Sequence, residues 1–235
     1  MKIYIKDLNK SFGNKTIFKN FNFELNDEKI NCIVGQSGCG KSTFLNILSG
    51  LTNIDSGEIL GITRSDISYV FQEDRLIEYL TIKENLELAL KKYYKKEQLE
   101  KQIKELLKLV GIEDICDKYP NNLSGGMKQR VNIARAFGKP SKIILMDEAF
   151  KSLDYKLKYT IMDEFKNILK NKKRMVIVVT HDLDEAIYFQ GNIFVFGGEP
   201  INIKGKFDAN IVKDKESLIE LMWMEEIRVF QNGFW

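Results

Sequence analysis

Cysteines, prolines and long apolar runs are all scarce in this chain of 235 residues. No run of about 18 apolar residues occurs, so we expect no membrane-spanning helix. Residues 1–6 lack the apolar stretch that a secretory signal peptide needs, and we expect no leader. The three cysteines follow no ligand or disulfide spacing, so we predict neither a disulfide framework nor a metal site, and expect a reducing compartment.

An excess of charge of one sign is also absent. The chain carries 36 basic and 33 acidic residues, a formal net charge of +3, which gives no argument for a nucleic-acid partner. A lysine-rich segment at residues 91–96 contains two tyrosines and is followed at once by an acidic residue, so we interpret it as a solvated helix end or loop. The length and the ordinary composition predict one large α/β domain with room for an inserted subdomain.

The most informative stretch that is present is rich in glycine and ends in Lys-Ser-Thr. It fits the phosphate-binding P-loop pattern G-x-x-x-x-G-K-[ST], with an apolar strand pattern before it and a helical pattern after it. Glycines let backbone N–H groups turn towards a phosphate, and the helix N-terminus adds a partial positive charge. The pattern assigns Lys41 to the β- and γ-phosphates and the Ser42 hydroxyl to Mg²⁺. We therefore predict a nucleoside triphosphate site formed by Gly35, Gln36, Ser37, Gly38, Cys39, Gly40, Lys41, Ser42 and Thr43.

Polar side chains also follow three other apolar runs, each with the composition of a buried strand. These side chains are Gln72, the acidic pair Asp147 and Glu148, and His181, the only histidine of the chain. Because the carboxyl ends of parallel strands meet at one edge of a sheet, we expect them near the P-loop. In such a site Asp147 would hold Mg²⁺ through water, Glu148 would polarise the attacking water and His181 would contact the γ-phosphate. Taken singly, each also fits an ordinary polar residue at a strand end.

Two adjacent glycines stand at the start of a predicted helix, directly after Ser124. Ser124 is a favourable N-cap residue, but Gly125 and Gly126 are poor helix formers, so their presence at the start of a helix needs an explanation. A helix N-terminus without side chains lets a phosphate approach its backbone N–H groups closely. A plain capped helix and a second phosphate site are therefore both compatible with the sequence. Asp154 is positioned to cap the next helix.

The remaining elements are predicted from hydrophobic periodicity and turn residues. Two N-terminal strands surround a turn at residues 13–14, and a hairpin is predicted at residues 193–203. Residues 55–58 are predicted to form a turn. Apolar residues recur at helical spacing between about residues 81 and 141, and a last helix is predicted at about residues 216–230.

Taken in order, these motifs resemble those of the ATP-binding-cassette (ABC) ATPases over essentially the whole chain. The sequence Leu-Ser-Gly-Gly at residues 123–126 is similar to the family's signature, and residues 152–154 lie where the family has the loop after its acidic pair. The resemblance implies a single ABC domain over residues 1–235, of α/β class, with a P-loop NTPase core whose sheet is mixed and mainly parallel. It also implies an N-terminal antiparallel β subdomain and a helical subdomain inserted at about residues 75–140.

Phe12 acquires a second interpretation from the resemblance. From its position alone, core packing or a strand-edge role is favoured over stacking on a base. It falls, however, where the family has the aromatic residue that stacks on adenine, which reverses that preference. We therefore include Phe12 in the predicted ATP site.

The resemblance also implies a mechanism in which two copies, or this chain and a paired ABC subunit, bury two ATP molecules between them. The P-loop of one copy faces residues 124–126 of the other. Glu148 is then the general base or water-positioning residue, Gln72 senses Mg²⁺ and water, and Asp154 couples the two sites. The expected activity is hydrolysis of MgATP, with a closing motion rather than a phosphorylated product as its output.

Within the family, the chain resembles the ATPase subunits of nitrate, sulfonate and taurine importers through residues 69–76 and 123–130. This implies an integral membrane permease docked on residues 73–90, an extracytoplasmic solute-binding protein, and a peripheral location on the cytoplasmic face of the cell membrane. Ala149 replaces a common proline, and residues 78–79 replace a Pro-Trp of that branch, so the solute stays open.

A soluble cassette ATPase that acts on nucleic acid or ribosomes is the alternative function. Such proteins usually carry two cassettes or long insertions, whereas this chain shows the motifs of one cassette. A P-loop kinase or GTPase would leave residues 123–126 unexplained. We therefore expect an importer ATPase with no nucleic-acid partner.

Overall fold

The computed structural model describes residues 1–26, 29–171 and 174–210, together with Glu216 and Ile219. The chain forms two units, one made of Met1–Asp66 and Met175–Trp235 and the other of Ile67–Arg174. Within the described ranges, no helix combines the length and the apolar composition needed to cross a membrane. The helix predicted at residues 216–230 lies outside the described residues, apart from the two named above.

Between residues 1 and 210, the described part of the chain forms nine strands and six α-helices. The strands are β1 (Lys2–Phe12), β2 (Lys15–Asn26), β3 (Asn31–Val34), β4 (Ser56–Leu60), β5 (Ile67–Val70), β6 (Ile143–Asp147), β7 (Met175–Val179), β8 (Asn192–Gly197) and β9 (Asn202–Asp208). The helices are α1 (Lys41–Leu48), α2 (Ile82–Leu90), α3 (Lys96–Leu109), α4 (Gly125–Gly138), α5 (Tyr155–Asn171) and α6 (Leu183–Tyr188).

The first unit contains an antiparallel sheet in the order β2-β1-β4. Alternate side chains are buried at the start of β1 and at the end of β2, because one face of this pair packs on the core. The predicted pair of N-terminal strands and its turn at residues 13–14 are confirmed. This sheet corresponds to the antiparallel β region expected near the N-terminus.

The turn predicted at residues 55–58 is wrong, because β4 begins at Ser56 and pairs with β1. Most of β4 is exposed, so it lacks the apolar alternation from which a strand is predicted. Gly57 has a φ of 103°, and a Cβ there would lie 2.5 Å from the Asp7 carbonyl oxygen. The glycine that suggested a turn instead permits close approach of two strands.

A second sheet of the first unit places β3 between β7 and β8, parallel to both. All four residues of β3 are buried, as expected for a strand covered on both faces. β9 pairs antiparallel with β8, which confirms the predicted hairpin. The strand that leads into the glycine-rich loop is therefore held on both sides by its neighbours.

A cluster of phenylalanine rings anchors α1 in the first unit. The rings come from β2, α1 and β8 and meet with centroid separations from 4.8 to 6.1 Å, each pair tilted or edge to face. They belong to Phe18, Phe21, Phe23, Phe44, Phe194 and Phe196. Because Phe44 lies in the first turn of α1, this packing fixes the start of the helix that follows the loop.

The second unit contains the parallel pair β5 and β6 and the helices α2 to α5. Every residue of β6 is buried, as its unbroken apolar run predicts. The helices predicted between about residues 81 and 141 are confirmed as α2, α3 and α4. Residues 91–95 connect α2 with α3, which confirms the interpretation of the lysine-rich segment as a helix end and loop.

Candidate nucleotide site

The P-loop joins β3 to α1 in the first unit, as the pattern predicts. Gly40 occupies the N-cap position of α1 with a φ of 109°. A Cβ at Gly40 would lie 2.6 Å from the Ile201 side chain and 2.8 Å from that of Ile17. Only glycine fits this position, and having no side chain it leaves the amides of the first helical turn uncovered.

Lys41 lies inside the loop and is 5% exposed. Its Nζ donates to the carbonyl oxygens of Gly35 at 2.8 Å and Gln36 at 2.7 Å. A buried ammonium group is retained only where such partners compensate its lost hydration. The loop therefore holds a positive charge at the position that the pattern assigns to the phosphates.

Gln36 adds a donor to the same loop. Its amide Nε2 is buried and has no hydrogen-bond partner among the described residues. Unpaired buried donors are rare in folded proteins and point to a missing ligand or water. A phosphate oxygen would satisfy this donor, so the loop fits the anion that its sequence predicts.

His181 follows β7, the strand next to the one that leads into the P-loop. Ile33 and Val179 are paired residues of β3 and β7, so both strands end at the same edge. Thr180, directly before His181, donates its hydroxyl to Glu185 at 2.7 Å and its backbone N–H to the Ile33 carbonyl at 3.2 Å. The structure thus brings His181 and the P-loop to neighbouring strand ends, while a γ-phosphate contact stays a prediction.

Phe12 ends β1 with 51% of its surface exposed, so it is not a core residue. Lys10 Nζ lies 5.0 Å from the centre of its ring. Lys15, its cross-strand partner, borders an open pocket of about 610 Å³ that is also lined by Asn14, Thr16, Lys19, Glu199 and Pro200. An exposed ring at the end of a strand is accessible for stacking on a base, which stays a prediction.

Asp147 is the last residue of β6 in the second unit and Glu148 follows it, beside the end of β5. Gln72 Nε2 donates to Glu148 Oε2 at 3.2 Å, and Lys151 Nζ lies 3.0 Å from the same oxygen. Glu148 has a φ of 45°, a left-handed conformation that is uncommon outside glycine, and its side chain is 11% exposed. The predicted proximity of Gln72 and Glu148 is therefore seen, with the carboxylate oriented by two donors.

Asp147, the other member of the acidic pair, is buried at the end of β6. The Tyr69 hydroxyl lies 3.4 Å from its carboxylate. Burial, and after it the charge of Asp147, raise the pKa of Tyr69 well above its ordinary value. Tyr69 therefore stays protonated and donates to Asp147, which keeps the carboxylate in place.

The helix that begins with the two glycines is capped by Ser124, whose hydroxyl accepts from the Met127 backbone N–H at 3.3 Å. A Cβ at Gly126 would lie 2.9 Å from the Ser152 carbonyl oxygen, so packing explains that glycine. Among the described residues, nothing lies within 4 Å of a Cβ built at Gly125, which is exposed. Packing within the described part of the chain therefore does not explain why residue 125 is a glycine.

Asp154 caps α5, as predicted, by accepting from the Leu157 backbone N–H at 3.1 Å. It is exposed and lies two residues after Ser152, the residue whose carbonyl packs on Gly126. The loop at residues 152–154 is therefore adjacent to the start of α4. The prediction that Asp154 couples two ATP sites stays a prediction.

Sequence reasoning missed a set of polar side chains on α4. Gln129, Asn132 and Arg135 recur at every third residue and contact the main chain around Gln72. Apolar periodicity alone does not reveal these side chains, because they lie between the buried apolar residues of the same helix. Their regular spacing within an otherwise apolar helix is the signal that the sequence offers.

Comparison with known proteins decides the family. The family model described as ABC transporter matches residues 18–151. The aliphatic sulfonates import ATP-binding protein SsuB of Bacillus thuringiensis is 36% identical over 223 residues, which cover 90% of this chain and 87% of the relative. This chain belongs to the ABC transporter family.

Other relatives of this ABC ATPase have different solutes in their names. The sulfate/thiosulfate import ATP-binding protein CysA of Neisseria meningitidis is 33% identical, covering 100% of this chain and 71% of the relative. The spermidine/putrescine import ATP-binding protein PotA of Haemophilus influenzae is 35% identical, covering 97% of this chain and 64% of the relative. The chain thus spans less than two thirds of the polyamine relative.

A solved structure of an ATP-binding cassette has a fold similar to that of this chain. The dimeric post-hydrolysis state of the ATP-binding cassette MJ0796, bound to ADP and Pi, is 32% identical with a TM-score of 0.80, covering 88% of this chain and 98% of that one. The predicted ABC ATPase family and the α/β fold class are confirmed, as is the similarity to sulfonate-importer ATPases.

Proposed function

We propose that this ABC ATPase hydrolyses MgATP as one of two paired subunits, identical or related, and that their ATP-driven pairing moves an integral membrane permease that imports a small solute. The observation that carries the proposal is Gly125, a bare and exposed residue in the first turn of α4. A helix N-terminus of this kind fits a phosphate group that comes from outside the chain. The similarity to a cassette whose dimer holds ADP and Pi supports a second copy as its source.

In this proposal the P-loop, with Lys41, holds the phosphates of ATP, and Phe12 stacks on the adenine. His181 contacts the γ-phosphate of the same nucleotide. Ser124, Gly125 and Gly126 meet the γ-phosphate held by the partner subunit, and Asp154 couples the two sites. The buried ammonium of Lys41 and the unpaired Gln36 amide support the phosphate assignment.

The residues proposed to hold Mg²⁺ are Ser42, Gln72 and Asp147. They offer a hydroxyl, an amide oxygen and a carboxylate, the hard oxygen ligands that Mg²⁺ prefers when phosphate oxygens complete its shell. The Tyr69 contact to Asp147 orients that carboxylate. When bound, Mg²⁺ neutralises the charge that develops on the phosphate oxygens.

Glu148 is proposed to act as the base. A water oxygen attacks the γ-phosphorus while Glu148 takes one of its protons, and the bond from the γ-phosphorus to the β-bridging oxygen breaks to leave ADP and phosphate. The two donors on Oε2, from Gln72 and Lys151, hold the carboxylate in one orientation. The proposal assigns Gln72 to sense the water that Glu148 activates.

The permease is proposed to dock on residues 73–90, where Tyr79 is 80% exposed. Asn85 holds the main chain beside it, since its Oδ1 accepts from the Ile77 N–H at 2.8 Å and its Nδ2 donates to the Leu80 carbonyl at 3.1 Å. A large aromatic side chain on a fixed loop is typical of an interface anchor. We propose that α2 to α4 form the inserted helical subdomain, at about residues 75–140, that carries this surface.

The wider setting follows from the same proposal. A chain docked on a permease lies on the cytoplasmic face of the membrane, and an importer takes its solute from an extracytoplasmic binding protein. The names of the relatives favour anionic solutes such as sulfonates, with polyamines also represented. The solute itself is selected by proteins other than this one.

Glu148→Gln tests the catalytic half of the proposal. We expect unchanged ATP affinity, hydrolysis slower by about 10²-fold or more, and a stable ATP-bound dimer, because the base is lost while every phosphate contact remains. Phosphate release measures the rate, and analytical ultracentrifugation with and without MgATP measures pairing. Hydrolysis at the wild-type rate would remove Glu148 from its proposed role.

Tyr79→Asp tests the docking half. We expect tagged chain purified from detergent-solubilised native membranes to recover a polytopic membrane protein, and Tyr79→Asp to recover at least about fivefold less, since a charge disrupts an aromatic anchor. Tyr4→Asp, a change of a partly exposed tyrosine in the first unit, is the matched control. Recovery of nucleic acid or ribosomes with ATPase stimulation, and of no membrane protein, would support the soluble alternative instead.

A further inference from the structure

The polar stripe of α4, defined as Gln129, Asn132 and Arg135, has no role in the proposed hydrolysis step. Gln129 is buried and Asn132 is 0% exposed. Buried amides are costly unless their hydrogen bonds are satisfied, so the partners of the stripe determine what it does. Those partners are almost all backbone carbonyls.

The first two members of the stripe hold the strand end before Gln72 and the residue after Glu148. Gln129 Nε2 donates to the Ala149 carbonyl at 3.0 Å and lies 3.4 Å from the Phe71 carbonyl. Asn132 Nδ2 donates to the same Phe71 carbonyl at 2.9 Å and lies 3.4 Å from the Glu73 carbonyl. The main chain is therefore contacted on both sides of Gln72 by one side chain.

Arg135, the third member of the stripe, contacts the main chain further along, at residues 74 and 75. Arg135 donates from Nη1 to the Arg75 carbonyl at 2.9 Å and from Nη2 to the Asp74 carbonyl at 3.1 Å. It also donates to Asn132 Oδ1 at 2.7 Å. Asn132 thus stands at the centre of the stripe, bonded to the loop with its donor and to Arg135 with its acceptor.

These contacts fix the main chain next to both partners of the Gln72–Glu148 hydrogen bond. The bond joins two residues whose neighbours, Phe71 and Ala149, are both held by Gln129, and Asn132 adds the contact at Glu73. The same helix begins at Gly125, the proposed contact for the partner's γ-phosphate. A displacement of α4 along or about its axis would therefore be transmitted to Gln72 by fixed hydrogen bonds.

We propose that Asn132 is a positioning residue: it holds the main chain on both sides of Gln72, so that the Gln72 amide meets Glu148 only when α4 is in place. The inference rests on the proposed function, since it assigns the stripe to the link between the partner's ATP and the hydrolytic residues. Asn132 is fully buried and acts through Gln72.

Asn132→Asp is the sharpest variant. It keeps the size of the side chain and the acceptor for Arg135, but it places an oxygen against the carbonyls of Phe71 and Glu73 where a donor stood. We expect kcat to fall about tenfold while KM for MgATP stays within about twofold, because the P-loop contacts that hold the nucleotide remain and the position of Gln72 against Glu148 is lost.

A double-mutant cycle with Gln72→Ala separates positioning from general structural damage. If Asn132 acts through Gln72, Asn132→Asp lowers kcat in the wild-type background and has no further effect once Gln72 is alanine. If Asn132 only supports the fold, the two variants lower kcat independently and their effects multiply. Multiplying effects would overturn the proposal.

Asn31→Asp is the matched control for burying an extra acid. Asn31 is a fully buried asparagine of the first unit whose Nδ2 donates to the backbone carbonyls of Asn26 and Lys29. We expect its kcat per folded molecule, with the folded fraction taken from thermal unfolding, to stay at the wild-type value. If Asn132→Asp does not fold, Asn132→Ala takes its place in the same cycle with the same expected outcome.

The outcomes distinguish this inference from the proposed function. A wild-type chain without ATPase activity, or an unaffected Glu148→Gln variant, contradicts the proposed function itself. Normal ATPase activity that Glu148→Gln abolishes, together with wild-type kcat in both Asn132 variants, overturns the role of Asn132 alone. A coupled loss of kcat, absent in the Gln72→Ala background, supports it.

Discussion

Two helix N-termini of this protein carry glycines, and they are built in opposite ways. At α1, Gly40 fits tightly against Ile201, and the Lys41 ammonium is enclosed by loop carbonyls. At α4, Ser124 caps the helix and Gly125 has open space where a side chain would be. The first terminus therefore encloses an ammonium group, whereas the second presents an exposed glycine.

The difference shows what each terminus can bind by itself. In the proposed site, the buried Lys41 ammonium and the N-terminus of α1 let the P-loop bind phosphate within one chain. The start of α4 has the helix dipole, the ammonium of Lys128 in its first turn lies 3.9 Å from the Asp74 carboxylate, and Gly125 is exposed. It is therefore suited to a phosphate that is already bound and charge-balanced elsewhere, as in a paired subunit.

Lys41→Met tests the closed terminus and has the largest expected effect. The variant keeps the buried stem but removes the charged donor, so we expect ATP affinity to fall by about 10²-fold or more, measured by titration calorimetry. Lys83→Met is the control, since Lys83 lies on α2, outside the P-loop, and its Nζ is 3.9 Å from Glu87. Unchanged affinity in Lys41→Met would show that the phosphates bind elsewhere and would break the comparison.

Gly125→Asp tests the open terminus with a smaller expected effect. No atom of the described residues lies within 4 Å of the new Cβ, and an acid in the first helical turn favours the helix, so we expect normal folding and normal ATP affinity. The carboxylate would repel the partner's γ-phosphate, so ATP-dependent pairing is lost in the Glu148→Gln background and wild-type hydrolysis falls about 10-fold or more. Sedimentation with MgATP measures the first and phosphate release the second. Pairing as strong as in the parent would exclude Gly125 from the interface.

Gly126→Ala sharpens the contrast between the two glycines and has the smallest effect. Its Cβ would meet the Ser152 carbonyl oxygen at 2.9 Å, so we expect the free energy of unfolding to fall by about 1–3 kcal/mol. Gly125→Ala is expected to leave that free energy unchanged or slightly higher, because space is open there. Chemical denaturation measures both. Equal losses would mean that both glycines serve packing alone.

Local patterns predicted much of this molecule correctly. The strand ending at Val34, the P-loop and the Ser124 and Asp154 caps were all predictable, because each depends on neighbours in sequence. β4 was not, since an exposed edge strand has no apolar alternation and its glycine imitates a turn. Parallel strand ends predicted that Gln72 and Glu148 lie at the same edge, but they did not predict that the two side chains are hydrogen-bonded.

The sequence by itself determined the nucleotide-binding character, the helices and their caps, because glycine backbone freedom, capping hydroxyls and hydrophobic periodicity are properties of short segments. Only the tertiary structure decided what the polar stripe of α4 holds. Asn132 meets the carbonyl of Phe71, which lies 61 residues earlier in the chain. Backbone carbonyls are the same in every residue, so no pattern of side chains can reveal which of them a buried amide will contact.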